Sequence, residues 1–141
     1  IEQSETNAMQ AIHFNKKIVM LDQYFSLLEQ DLSALDNLYK WLPDQPEDKL
    51  RILLANIGLR RERVFLLCKD LSGGEQLKLA WLCVAGQTDC LLLLDEPDNH
   101  LDIESKNVLQ ACLKQYNSCF ILVSHDEDFI REAGINKVIG L

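Results

Sequence analysis

Cys90-Leu91-Leu92-Leu93-Leu94-Asp95-Glu96-Pro97 is a continuous apolar run that ends in two adjacent carboxylates. An apolar run without alternation leaves no face suited to water, so it reads as a strand of the buried, parallel-sheet type. In open α/β sheets, ligands gather outside the carboxyl ends of the strands. An Asp delivered there suits Mg²⁺, which takes hard oxygen ligands and usually keeps waters. A Glu beside it can orient an attacking water or accept its proton. Two solvated acids opening a loop would read the same, so the neighbouring segments have to decide.

Towards the C-terminus, Asp102 can cap a helix that puts Leu109, Cys112, Leu113 and Tyr116 on one face. Cys119 to Val123 reads as another buried strand, and it carries Ser124-His125-Asp126 to the same edge of the sheet. A His there can hydrogen-bond a phosphate oxygen or a positioned water, although a lone His is more often structural. Asp126 to Ala133 reads as a short helix and Lys137 to Leu141 as a last strand. His13 and His100 read as structural: His13 has no partner motif, and His100 belongs to the turn before the Asp102 cap.

Towards the N-terminus lies Leu71-Ser72-Gly73-Gly74-Glu75-Gln76, with the spacing of a capping box: Ser72 as N-cap and Glu75 three residues on. Two glycines at a capped helix start leave backbone N–H groups uncovered, and helix N-termini favour anions. A flexible turn before an ordinary helix is the competing reading. Leu77, Ala80, Trp81 and Val84 then form an apolar stripe that Gly86 ends. Further back, Pro46 suits the first turn of a helix with Leu50, Leu53, Leu54 and Ile57 on one face and Gly58 as its stop. Asp31 to Trp41 reads as a helix capped by Ser33 or Asp31, and Lys17 to Leu21 as a short strand followed by Asp22-Gln23. Gln23, a neutral amide just past a strand, is placed to touch metal-bound water.

Together these elements predict an α/β fold. Residues 1–23 and 87–141 would form a core of parallel strands and helices, and residues 24–86 an inserted, mainly helical subdomain. Bulk composition agrees. With 141 residues, 48% hydrophobic and 26% charged, the chain can bury a core and is not of disordered type. No run of about 18 apolar residues is present, so no membrane insertion is expected of this chain. A formal net charge of -8 argues against broad electrostatic binding to nucleic acid. Five cysteines, an odd number without any Cys-x-x-Cys, point to a reducing cytosol and to neither a disulfide framework nor a zinc site. The N-terminus has neither a signal-peptide layout nor an initiator Met, which suggests a chain cut from something longer.

In this order and spacing, the motifs resemble those of the ATP-binding-cassette (ABC) ATPases. Leu71 to Gln76 is similar to the family signature, Leu91 to Glu96 to the Walker B strand with its catalytic glutamate, and Leu101-Asp102 to the D-loop. His125 is similar to the switch histidine and Gln23 to the Q-loop glutamine. The segment Glu96-Pro97-Asp98-Asn99-His100-Leu101-Asp102-Ile103 resembles the EPTNHLDI of the F-type cassettes, with Asp98 where those usually have Thr. F-type proteins carry two cassettes in one chain and no transmembrane part.

The resemblance implies a P-loop NTPase core that binds and hydrolyses ATP with Mg²⁺. Asp95 would hold the metal with help from Gln23, and Glu96 and His125 would be catalytic. Ser72, Gly73, Gly74, Glu75 and Asp102 would contact the nucleotide, the signature residues acting on the ATP seated in a second cassette. It further implies a cytoplasmic protein that regulates translation, with the ribosome or its RNA as partner. The ATPase subunit of a transporter, and a non-catalytic docking module derived from a cassette, remain as alternatives. One departure concerns the phosphate-binding loop G-x-x-x-x-G-K-[ST]. None of the six glycines precedes a Lys, so these 141 residues are expected to lack that loop and to be inactive by themselves.

Overall fold

The computed structural model describes residues 16–137. The reading of His13 and most of the last expected strand, residues 138–141, lie outside the described residues. Three parallel strands form one sheet in the order β1-β2-β3. They are β1 (Lys17–Asp22), β2 (Cys90–Asp95) and β3 (Phe120–Val123). The run that opened the sequence reading is the central strand, and Cys90, Leu91, Leu92 and Leu94 are buried on it.

One face of the sheet, carrying Val19, Leu21, Leu92 and Leu94, belongs to a continuous apolar cluster. Leu109 and Leu113 of α4 (Ile103–Gln115) and Phe129 of α5 (Glu127–Glu132) belong to it too. So do Leu77, Ala80, Cys83 and Val84 of α3 (Gly73–Ala85), Ala34 and Leu38 of α1 (Ala34–Trp41), and Leu50 and Leu54 of α2 (Glu47–Asn56). Each such leucine contributes roughly 1.5–3 kcal/mol by leaving water.

The other face is open among the described residues. Ile18 (53%), Met20 (49%), Ile121 (45%) and Val123 (50%) are exposed there. The register sets Ile18 beside Leu91 and puts Leu93 between Met20 and Ile121. This corrects the expectation of a β3 buried on both sides: its residues alternate between half-buried and exposed.

Local chemistry explains most helix boundaries. The Ser33 hydroxyl accepts the Asp36 N–H at 3.0 Å and caps α1; the alternative cap, Asp31, pairs with Lys69 at 2.8 Å instead. Pro46 sits at the N-cap of α2, one residue before the first-turn position expected for it. Gly58 has φ +93° with open space around it, so only its left-handed backbone calls for glycine. Gly86 differs: its backbone is right-handed, and a Cβ there would collide with Leu42. The sequence reading missed two 3₁₀ turns, Arg61–Phe65 and Cys68–Asp70, which connect α2 to α3.

The segment after β1 is held by one buried amide. Asn37 Oδ1 accepts the Glu29 N–H at 2.8 Å, and Nδ2 donates to the carbonyls of Glu29 at 2.9 Å and Ser33 at 3.1 Å. Asn37 is 1% exposed, so water cannot replace these bonds. Asn37→Ala would leave buried backbone groups unpaired. We expect it to lower unfolding stability by about 2–3 kcal/mol in denaturant titration, where an ordinary surface substitution costs under ~0.5 kcal/mol.

Candidate functional site

Because the three strands are parallel, their carboxyl ends share one edge. Asp22 stands beside Asp95, and Asp95 beside Val123. The residues that follow each strand therefore meet. Gln23 Oε1 accepts from Asn99 Nδ2 at 3.0 Å, so its amide oxygen is engaged within the chain. His125 Nε2 lies 3.0 Å from Glu96 Oε1, with the His side chain 93% and the Glu side chain 16% exposed. The Glu96 N–H donates to the Val123 carbonyl at 2.8 Å, and Glu96 has a left-handed φ of +50°. A non-glycine residue held in that region stores strain of order 1 kcal/mol, and such strain clusters at functional sites.

Of the two strand-end aspartates at this edge, Asp22 is occupied. Its oxygens accept the Ser26 N–H at 2.9 Å and the Ser26 hydroxyl at 2.6 Å. The Asp95 carboxylate is exposed and has no such partner among the described residues. Also among the described residues, no group of three His, Cys, Asp or Glu could hold a metal ion. The donor set fits a Mg²⁺ that takes one carboxylate and draws its other ligands from phosphate and water; it does not fit an all-protein metal cage.

Ser72, Gly73, Gly74 and Glu75 build a second feature at the start of α3. Both halves of the capping box are formed. The Ser72 hydroxyl accepts the Glu75 N–H at 3.2 Å, and Glu75 Oε2 accepts the Ser72 N–H at 3.0 Å. That Ser72 N–H, followed by burial and the Arg63 guanidinium, sets the titration of Glu75, and the net effect holds its carboxyl below the ordinary carboxylate range. The N–H groups of Gly73 and Gly74 are among those a helix start leaves without an intrahelical acceptor. A Cβ on Gly73 would meet nothing within 4 Å, whereas one on Gly74 would press on Ser105 Oγ at 3.1 Å.

This helix start opens on a 410 Å³ groove whose far wall is His100, Leu101, Asp102, Glu104 and Ser105. Asp102 caps α4 by accepting the Ser105 N–H at 2.7 Å, and that bond holds its carboxyl below the usual range. Asp95, Glu96 and His125 do not line this groove. The chain thus presents two separate polar edges, one with free and paired carboxylates and one with helix N–H groups.

Sequence reasoning missed three residues that shape these edges. Asn99 holds Gln23, and Lys106 reaches Asp126 Oδ2 at 2.9 Å across the cap of α5. Arg63 pairs with Glu75 from the 3₁₀ turn Arg61–Phe65. Asn99 lies in the Glu96–Ile103 segment but no local signal gives it Gln23 as a partner, and no motif marks Lys106 or Arg63, since each acts through a neighbour distant in sequence. Asp98, the departure from Thr, is 4% exposed and its Oδ1 has no partner among the described residues. The five cysteines are free thiols; burial pushes the Cys83 thiol up to about 12, so it behaves as a small hydrophobe. Among the described residues no helix is long and apolar enough to cross a membrane.

Known proteins resemble this chain in sequence and in fold. The ABC transporter family matches residues 1–99. The probable ATP-binding protein YheS of Haemophilus influenzae is 36% identical over 104 residues, which is 74% of this chain and 16% of that protein. The putative ATP-binding protein YdiF of Bacillus subtilis is 37% identical over 116 residues, 82% of this chain and 18% of that one. ATP-binding cassette sub-family F member 3 of Pongo abelii is 35% identical over 120 residues, covering 84% and 17%. The chain therefore spans about a sixth of the length of these curated relatives. Among solved structures, a dimeric ATP-binding cassette in a post-hydrolysis state with ADP and Pi superposes with a TM-score of 0.61 at 23% identity. That match covers 83% of this chain and 56% of that one, a likeness of fold. A family match over residues 1–99, together with relatives at 35–37% identity over most of the chain, means that the chain belongs to the ABC transporter family, with F-family cassettes among its relatives.

Proposed function

We propose that this chain supplies the hydrolytic strand edge and the signature surface of an F-type ATPase in which two cassettes close on nucleotide. The observation that carries this reading is the separation of the two polar edges. A helix start suited to phosphate, on a groove that Asp95 and Glu96 do not line, is suited to a nucleotide seated elsewhere, on a second cassette. The dimeric state of a solved cassette of the same fold supports a partner of that kind. In this reading residues 24–86 are the helical subdomain that carries the signature, and residues 1–23 and 87–141 belong to the nucleotide-binding core. The open apolar face of Ile18, Met20, Ile121 and Val123 is then a surface for further cassette sequence.

The residues divide the work. Asp95 would hold Mg²⁺, which when bound neutralises phosphate charge as phosphorus–oxygen bonds change. Glu96, braced by its backbone bond to Val123 and by His125, orients the attacking water and accepts its proton. His125, almost wholly exposed, can offer the ring nitrogen not facing Glu96 to the phosphate end of the substrate. Gln23, held by Asn99, follows Asp22, the register partner of Asp95, at the head of the helical subdomain, where it can relay occupancy of the edge to α1. Ser72 and the amides of Gly73 and Gly74 bind the partner's nucleotide, with Asp102 fixing the opposite wall.

An F-type protein of the cytoplasm acting on translation is preferred over a transporter subunit because of the segment Glu96 to Ile103. The charge distribution adds support. Residues 49–69 hold six Lys and Arg and a single Glu, a local excess of five positive charges in a chain whose remainder is net negative by thirteen. A local excess of this kind, with Arg60 and Arg61 exposed, suits RNA phosphates although the whole chain is net negative.

Three outcomes test this reading in the intact protein that carries this chain. Glu96→Gln keeps the side-chain size but removes the base, and should lower steady-state ATP hydrolysis by about 10²–10⁴-fold while nucleotide binding persists; a rate within a few-fold of wild type would refute the role. Ser72→Asp is a good helix cap, so on a purely structural view it stays active, whereas repulsion between its carboxylate and phosphate should leave it folded and nearly inactive. ATPase rate and thermal midpoint, measured together, separate the two. Reversing the charge of the exposed residues Arg60 and Arg61 to Glu should weaken binding to ribosomal RNA and reduce the slope of log K against log salt by about 2, roughly one unit for each lost phosphate contact. An unchanged slope would place any RNA contact elsewhere.

A further inference from the structure

We propose that Arg63 is a positioning residue for the signature. Its guanidinium offsets the charge of Glu75, so that a nucleotide phosphate can approach Ser72, Gly73 and Gly74 at the start of α3. This rests on reading that helix start as a phosphate site.

The need for such a residue follows from electrostatics. A helix N-terminus carries roughly half a positive charge, concentrated on its free N–H groups. Glu75 places a full negative charge within the same first turn. Left alone, it would more than cancel the field that makes the site attractive to an anion. A glutamine at this position would complete the same cap without a charge, so the glutamate needs a counter-charge that a glutamine would not.

Protonation does not supply the neutrality, because the Ser72 N–H and Arg63 hold the Glu75 carboxyl below its usual range. Both oxygens are committed instead. Oε2 accepts from the Ser72 N–H at 3.0 Å, and Oε1 takes Arg63 Nη2. Glu75, 26% exposed, lines the groove, and Arg63, 51% exposed, meets it from outside that lining. Other charged groups of the groove are Lys78, Asp102 and Glu104. The two acids tip the groove towards negative and sharpen the requirement for a cation at Glu75.

Arg63 reaches this place because of the turn that carries it. Val64 is buried at 1% exposure and anchors the 3₁₀ segment. The Arg63 N–H donates to the Arg60 carbonyl at 3.1 Å. Arg51 lies 5.0 Å from the centre of the Phe65 ring, tying the same turn to α2. Arg61 enters the turn at φ +53°, a strained start that the buried anchor stabilises. The guanidinium is thus presented by a fixed loop across a sequence gap of twelve residues.

A double-mutant cycle tests this in the intact protein, with steady-state ATP hydrolysis and thermal midpoint as readouts. Arg63→Ala in the Glu75 background should lower kcat about tenfold, the effect of a single unbalanced charge near the reacting phosphate, with KM for ATP changed less than about twofold. Arg63→Lys should restore most of the rate, because charge is what is required. With Glu75→Gln already in place, Arg63→Ala should change kcat less than about twofold, since no charge remains to offset. An equal loss in both backgrounds, or no loss in either, overturns the proposal and assigns Arg63 a packing role or none. If Arg63→Ala unfolds below the assay temperature, Arg63→Met keeps the stem and carries the same comparison. Ser72→Asp distinguishes the two levels of failure. If it is fully active, the phosphate-site reading underneath has failed. If it is inactive while the Arg63 and Glu75 losses simply multiply, only the counter-charge has failed.

Discussion

Parallel pairing of β2 with both β1 and β3 is the constraint on which the rest depends. Backbone hydrogen bonding sets Asp22, Asp95 and Val123 side by side at one end of the sheet. Once that register is fixed, Gln23, Glu96 and His125 have to emerge at the same edge although they are far apart in sequence. The apolar side chains of β2 hold the register, since a one-residue slip would carry Leu92 and Leu94 from the core to the open face and return Leu91 and Leu93 to the interior out of step with α4. The polar edge is therefore a by-product of a hydrophobic alignment.

Four helices begin on side-chain caps: Ser33, Ser72, Asp102 and Asp126 each accept a backbone N–H three residues ahead. These caps fix where the functional loops end. Asp102 stops the loop that follows Glu96 and forms one wall of the groove. Asp126 stops the loop that carries His125, and its second oxygen takes Lys106 from α4. Ser72 stops the 3₁₀ connection and presents Gly73 and Gly74. Local capping chemistry thus converts a sheet edge and a helical arm into two surfaces of defined shape.

Charge is divided as sharply as shape. Acids collect along the sheet edge and around the groove, and bases collect between Lys49 and Lys69. Arg63 belongs to that basic segment but turns back to the signature, so it belongs to both territories. In the proposed function one surface attracts phosphate while another holds a metal and a base. Separate elements let each surface keep its own electrostatic character.

The sequence by itself determined the element types, because burial period and capping residues are local. The apolar run into Asp95 and Glu96, the capping box at Ser72 and the strand ending at Ser124 were all legible, and so was the family to which they belong. Periodicity could not show which face of β3 would stay open, since Phe120 to Val123 is apolar at every position and only the absence of a covering layer among the described residues exposes Ile121 and Val123. Short 3₁₀ turns were illegible for a related reason: one turn has no period to detect. The side-chain partnerships were decided by tertiary structure alone. Gln23 with Asn99, Glu96 with His125, Asp126 with Lys106 and Glu75 with Arg63 are pairs that contact across sequence separation, and no local rule specifies a partner that only folding brings within reach.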